Sequence, residues 1–397
     1  MSFCFVLSSA GIGGFRTFTQ NLGRQLKDEG HDVTVLIVAR GVGTLGDVDS
    51  MRRDLRVEVC HQNRVLLRSR FIGRIVRKIE EINPEVLIVN HNAWTQAALP
   101  YLPARIVRVP VVHSVTHAEV SLIAGNSNWW DAAVAVSPAV EQLLRERWPP
   151  ERIRMIPVGV PRPSTHTRAC FGESPLRICY VGRLDQNQKN VLFIPRLAGL
   201  LSERGIQCLW TVIGEGPDRK AMECSAGQQG VRGLFTFTGV KCREDVERLT
   251  SQHHLLILPS RIEANPHVVQ EAQVLGVVPI ATRLAGATDF VISDGNDGRL
   301  CDTSDAESFA AAIAGLHSDR AELARLSANA VASVRRRFAI ATVSEQYRTL
   351  LEEIRTSALS RPRRRRTIAG LRRVPSQLMP TRLHTALRVS LQVFRKS

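Results

Sequence analysis

Apolar and polar positions alternate in blocks from the start of the chain. FCFVLSS reads as a buried strand, GIGG as a turn and FRTFTQNLGRQLKDEGH as an amphipathic helix. DVTVLIV is a second strand, and EVLIVN, RVPVVHSV and AAVAVS are further apolar runs separated by helical segments. Residues 157–175, PVGVPRPSTHTRACFGESP, are rich in Pro and small polar residues and read as a linker. A second series follows: RICYVG, a helix over about 191–203, CLWTVIG, a helix near 219–226, LFTFTG, HLLILPS and VPIAT. Strand–helix alternation of this kind predicts parallel sheets covered on both faces. The expected fold is α/β, with two Rossmann-like doubly wound domains facing across a cleft. The expected boundaries are a first domain at 1–160, a linker at 161–175, a second domain at 176–340, a closing helix at 341–356 and a tail at 357–397. Ligands of such sheets bind at the carboxyl ends of the strands.

Length and composition narrow the class. A chain of 397 residues, 44% hydrophobic and 23% charged, has material for two globular domains or more. No apolar run approaches the ~20 residues that span a bilayer. The start, MSFCFVLSSAGIGG, has no basic flank and does not read as a signal peptide. The eight cysteines, Cys4, Cys60, Cys170, Cys179, Cys208, Cys224, Cys242 and Cys301, form no Cys-x-x-Cys pair. Reduced thiols in a cytoplasmic protein are therefore expected. The net charge is +16, and eleven of those charges sit in residues 361–397, which hold ten Arg, one Lys and no acid. From Thr381, Leu383, Leu387, Leu391 and Phe394 share one helical face while Arg382, Arg388, Arg395 and Lys396 lie elsewhere. A basic amphipathic helix suits an anionic membrane surface. An inert solubilising tail and a nucleic-acid contact are the other readings, and no aromatic platform for bases accompanies the tail.

Residues 254–302 carry the densest chemistry. Glu263 and Glu271 have seven residues between them. Glu263 follows the apolar run at 255–258, and Asn265 reads as a helix N-cap with Pro266 as first helical residue. One carboxylate would then lie in the entry loop and the other two turns into the helix. Unpaired N–H groups at the helix start favour a phosphate, and the flanking carboxylates can hold hydroxyls. That set suits a nucleoside-diphosphate sugar. In CYVGRLDQNQKN, Arg183 sits just after a strand and Lys189 six residues on. Two cations there can stabilise a departing diphosphate. Gly214 and Gly216 of VIGEGP allow close approach of backbone to a nucleotide, and Glu215 reads as an exposed turn residue. The base is expected near residues 239–241, starting at Gly239, through main-chain groups. Gly11, Gly13 and Gly14 form a glycine loop between a strand and a helix. Asp47-Val48-Asp49 has metal-binding spacing but reads as a solvated loop, so no metal is expected. No nucleotide P-loop and no Gly-x-Ser-x-Gly occurs.

The ordered string Glu263, Glu271, Gly276-Val277-Val278-Pro279 and Asp294-Gly295 resembles the family 4 retaining glycosyltransferases of GT-B fold. The resemblance covers about residues 1–355, with its motifs concentrated in 178–302. It implies that Arg183 and Lys189 bind the donor diphosphate, aided by main-chain amides near His267 and Val268. It implies that Glu271 holds the ribose and Glu263 the transferred sugar, with front-face retention rather than a protein nucleophile. The loop with Gly13 and Gly14 would face the donor, and the last helix would cross back toward the first domain. The family carries a histidine at the end of the PVVHSVTH strand. Counted from Pro110 that place is Thr116, with His117 one residue late and His113 inside the strand; His117 is the favoured candidate and His91 a further one. Ser137-Pro138 reads as a strand-end turn and helix start, while residues 157–161 lack the Asn and Asp common in relatives. The implied acceptor is an alcohol on a glycan or a lipid-linked carrier. Alternatives are a nucleotide-sugar epimerase of the same fold, and a non-catalytic membrane- or nucleic-acid-binding protein on a degenerate scaffold.

Overall fold

The computed structural model describes residues 1–356 apart from 12, 41–44, 63–67, 91, 125, 165–171, 173–174 and 303–304. His91 and the basic tail lie outside the described residues. The chain divides into two compact units, Met1–Gly159 with the chain from Ile340 onward, and Val160–Ala339.

The first unit holds a parallel sheet of seven strands: β1 (Ser2–Leu7), β2 (Asp32–Arg40), β3 (Arg56–Gln62), β4 (Val86–Asn90), β5 (Val107–Val112), β6 (Ala133–Ala135) and β7 (Ile153–Met155). Their order is β3-β2-β1-β4-β5-β6-β7. Phe3 to Leu7 of β1 are all buried, as a central strand covered on both faces requires. The helix Gly14–Asp28 follows β1, and the closing helix Ile340–Thr356 packs on it within the same unit. The Phe18 and Tyr347 rings are 6.3 Å apart, and Ser344 Oγ donates to Glu29 Oε2 at 2.8 Å.

The second unit repeats the plan with six parallel strands: β8 (Leu176–Val181), β9 (Cys208–Ile213), β10 (Phe235–Gly239), β11 (Leu255–Leu258), β12 (Val278–Thr282) and β13 (Arg299–Cys301). The order β10-β9-β8-β11-β12-β13 is again that of a doubly wound dinucleotide-type sheet. One core packs Tyr180, Trp210, Phe193 and Phe309 beneath the sheet; the last two rings meet edge-on at 5.0 Å. The other face packs Leu256, Val269, Ala272 and Phe338.

Three strands escape the sequence pattern: β3, β7 and β13. All are at sheet edges. β3 carries Arg56, Glu58 and His61 among its apolar residues, and the other two have three residues each. An edge strand needs no continuous apolar run.

Candidate functional site

The strand order of the second unit reverses between β8 and β11, so the crevice of that sheet opens where these strands end. Both cations and both glutamates read from the sequence come from the segments after these two strands. After β8 the chain runs through Arg183 into a short helix, Gln186–Lys189, capped by Asp185, whose Oδ1 accepts from the Gln188 amide at 2.9 Å. Asn190 ends the helix in the left-handed region at φ 54°. After β11 the chain passes Glu263 and enters the helix His267–Val274. Pro266 is the cap residue rather than the first helical residue, and no side chain caps the helix. The expected cap at Asn265 is thus displaced by one residue, because Pro266 adopts an extended ψ of 94°.

The two segments are bonded to each other. Lys189 Nζ donates to Glu263 Oε1 at 2.6 Å, with side chains 20% and 8% exposed. The Arg261 amide donates to the Gln188 carbonyl at 2.9 Å, and Arg261 Nη1 to the Gln186 carbonyl at 2.9 Å. Among the described residues Arg183 makes no ion pair, and its side chain is exposed. Tyr180 donates to the Arg183 carbonyl at 2.7 Å, and its hydroxyl is pushed up by burial, then by Glu263 and Asp185.

His267 and Glu271 lie one turn apart on the next helix and are half-buried. Burial, helped by the Lys189 charge, pushes the His267 imidazole down to about 4. Burial pushes the Glu271 carboxyl up to about 7; Arg243 opposes that shift and Glu247 adds to it. Burial thus favours the uncharged form of both groups. The helix ends in a Schellman turn: Gly276, at φ 79°, donates to the Gln273 carbonyl at 3.0 Å, and the Val277 amide to the Ala272 carbonyl at 2.9 Å.

The glycines of the second unit are also required by the packing of the chain itself. A Cβ on Gly214 would stand 1.9 Å from the Gly182 oxygen, and one on Gly216 would stand 2.2 Å from the Leu184 oxygen. These positions are demanded by the chain's own backbone. Gly214 donates to the Gly239 carbonyl at 3.0 Å and Leu184 to the Glu215 carbonyl at 2.9 Å, so the segments after β8, β9 and β10 are laced together. The Glu215 carboxylate pairs with Arg219, which also reaches Glu223 at 3.0 Å.

In the first unit, Gly13 caps the helix Gly14–Asp28 and has open space where a Cβ would stand. The Gly11 amide donates to Ser9 Oγ at 2.9 Å. Arg16, which the sequence did not single out, is buried and holds this loop in place. It donates to the Ala10 carbonyl at 2.9 Å, Ser50 Oγ at 2.7 Å and Gln20 Oε1 at 3.2 Å. A lone arginine in an amphipathic helix carries no signal that it will be buried.

The histidine assignment changes. β5 ends at Val112, so His113 directly follows the strand instead of lying inside it. Its Nε2 is 3.1 Å from Asn90 Oδ1, and its ring meets Phe18 edge-on at 4.7 Å and Phe15 at 5.1 Å. His117 instead begins the helix His117–Ala124, is exposed, and has Nδ1 3.0 Å from Arg147 Nη2. Thr116 is exposed one residue earlier. The strand stops four residues before Thr116, so neither occupies a strand end. Asp47-Val48-Asp49 is not a loop: Asp47 caps the short helix Val48–Arg52, accepting from the Ser50 amide at 3.0 Å, and Asp49 pairs with Arg52 at 3.1 Å. Ser137 caps the helix Pro138–Arg145 as read.

Comparisons with known proteins bear on this arrangement. The family model described as Glycosyl transferases group 1 matches residues 166–332, and that described as Glycosyltransferase Family 4 matches residues 12–162. An alpha-D-kanosaminyltransferase of Streptomyces kanamyceticus is 27% identical over 177 residues, 45% of each chain. The lipopolysaccharide core biosynthesis glycosyltransferase LpsD of Rhizobium meliloti is 29% identical over 36% of this chain and 41% of its own. This chain thus spans less than half the length of these relatives. A D-inositol 3-phosphate glycosyltransferase of Thermobispora bispora is 24% identical over 89% of this chain and 91% of its own. Among solved structures, Anabaena HepE in complex with UDP and glucose superposes with a TM-score of 0.72 at 16% identity, covering 89% of this chain and all of that one. S. aureus TarM gives a TM-score of 0.73 at 10% identity, covering 88% and 98%.

Proposed function

This chain belongs to the family 4 glycosyltransferases of GT-B fold, and from that premise we propose that it moves a sugar from a nucleoside-diphosphate sugar to an alcohol acceptor with retention of anomeric configuration. The observation that carries the reading is the Lys189–Glu263 pair where the second sheet reverses its strand order. It couples a cation suited to a diphosphate with a carboxylate suited to sugar hydroxyls. An ammonium has three N–H donors and a carboxylate about four acceptor positions, so each partner can keep the other and still hold donor. Lys189 and Arg183 stabilise the charge that grows on the leaving diphosphate. Amides of His267 and Val268 assist, Asn265 and Pro266 shape the helix entry, and Glu271 meets the ribose. Glu263 holds the transferred sugar and the acceptor attacks on the face the diphosphate leaves. The two cations do the work of a bridging metal, so a chelator should leave turnover unchanged. That HepE is solved with UDP-glucose supports a nucleotide-sugar donor here.

The acceptor reading is a lipid-linked or cell-surface glycan precursor, met on the inner face of the cytoplasmic membrane with residues 361–397 against anionic lipid. Relatives named for lipopolysaccharide core synthesis favour it. Among the described residues no helix is long and apolar enough to cross a membrane.

The test is protection against thermal unfolding by a panel of nucleoside diphosphates and their sugars, followed by product analysis. A ligand at ~100 times its dissociation constant adds roughly 2.7 kcal/mol. One base series should protect, and nuclear magnetic resonance of the product should show the donor's anomeric configuration kept. Donor conversion without any added alcohol would point to an epimerase. Protection by no member of the panel would leave a binding protein on a degenerate scaffold.

A further inference from the structure

The helix that carries Lys189 is a single turn of 4 residues, Gln186–Lys189. One turn carries the cost of helix nucleation and little of the gain of propagation, so its place is set by bonds from outside it. The Lys189 amide donates to the Asp185 carbonyl at 2.9 Å, so Lys189 follows wherever the start of the turn is held. Two other segments grip that start. Asp218, after β9, precedes the helix Arg219–Gln228 without capping it; its Oδ2 instead accepts from the Gln186 amide at 2.7 Å. Arg261, after β11, donates from Nη1 to the Gln186 carbonyl at 2.9 Å, and its own amide donates to the Gln188 carbonyl at 2.9 Å. A carboxylate thus holds the amide of Gln186 and a guanidinium holds its carbonyl.

Arg261 is exposed, and an exposed side chain with one bond to a main-chain carbonyl gives the fold little stability. Its place along the chain says more. Glu263, the partner of Lys189, stands two residues after it. The bonds therefore close a ring: from Arg261 to the turn, from the turn to Lys189, from Lys189 Nζ to Glu263 at 2.6 Å, and along the chain back to Arg261. A lysine ammonium rides on a flexible four-carbon stem, and the ring restricts it to one position before any ligand arrives. Restricting a binding group in advance raises affinity by lowering the cost of ordering it.

We propose that Arg261 is a positioning residue for the donor: it sets the turn Gln186–Lys189 so that Lys189, held at Glu263, meets the diphosphate. This rests on the donor reading given above and assigns Arg261 no contact with the donor itself.

The experiment is calorimetric titration of the full chain with UDP, GDP, ADP, CDP and dTDP. The diphosphate that wild type binds most tightly is then taken through a cycle of Arg261→Ala, Lys189→Ala and the double variant. Arg261→Ala should bind it about tenfold more weakly, with wild-type melting. In the Lys189→Ala background the same substitution should change affinity by less than about twofold, because a residue that acts through Lys189 has nothing left to act on. Arg261→Lys keeps a donor for the carbonyl and should recover part of the loss. Losses that multiply in the double variant would make Arg261 a ligand of the diphosphate in its own right and overturn the proposal. So would wild-type affinity in either single variant. A loss of affinity that comes with a matching drop in melting temperature would make Arg261 a brace of the fold and overturn it as well. Wild type that binds none of the diphosphates would instead refute the donor reading on which the proposal rests.

Discussion

At the scale of single residues, the Lys189–Glu263 contact changes what a substitution there means. Lys189→Ala removes the cation proposed to hold the donor diphosphate and also strands a buried carboxylate. Removing one partner of a buried pair costs more than removing both. Lys189→Ala should lose about 1–3 kcal/mol in chemical denaturation, and adding Glu263→Gln should restore part of it. Equal stability of the single and double variants would mean the pair is not coupled. Glu271 and His267 make a pH prediction. Glu271, raised from 4.5 to about 7, holds its proton longer in the folded chain, so its contribution to stability is present at low pH and lost as pH rises through that window. His267, lowered from 6.5 to about 4, is kept neutral by folding, so its contribution is lost as pH falls through its own window. The two slopes oppose each other where the windows overlap. Glu271→Gln should therefore make stability climb with pH between about 4 and 6.5, more steeply than in wild type; a parallel pair of curves would contradict these shifts. Neither shift was legible in the sequence, because both arise from burial by residues brought in from elsewhere.

At the scale of elements, the glycines separate into two kinds that look alike in the sequence. Gly214, at φ 142° with the Gly182 oxygen in its Cβ position, should not tolerate alanine; Gly214→Ala should cost upwards of about 3 kcal/mol or prevent folding. Gly13 has open space and extended φ, so Gly13→Ala should fold within about 1 kcal/mol of wild type. Melting of both variants checks the contrast, and comparable losses would refute it. The short helix bearing Lys189 depends on its cap. Asp185→Ala should cost about 1 kcal/mol and weaken donor protection more than it weakens the fold. The central strands and the helix after Asn190 were readable from apolar runs. The end of β5 was not: Val115 beyond His113 and Ser114 suggests a longer strand, but pairing with β6 stops at Val112, which moved the strand-end histidine to His113.

At the scale of the whole molecule, the first unit is assembled from both ends of the chain. Leu351, 2% exposed on the closing helix, belongs to its core. Leu351→Ala should lower stability by about 2–4 kcal/mol in denaturant titration. A loss below about 0.5 kcal/mol would mean that the helix is an appendage.

Two doubly wound domains followed from the sequence alone, because buried parallel strands must be continuously apolar, and the places of Arg183 and Lys189 after one strand and of Glu263 after another could be read from the same runs. The tertiary structure alone decided which of these residues touch. Lys189 and Glu263 are 74 positions apart, and only the adjacency of β8 and β11 brings them within 2.6 Å. It also decided that Gly214 answers to Gly182, that Arg16 is buried, and that Arg355 meets Glu85. Local propensity is written in short windows of sequence, whereas burial and pairing depend on strand order, which no such window contains.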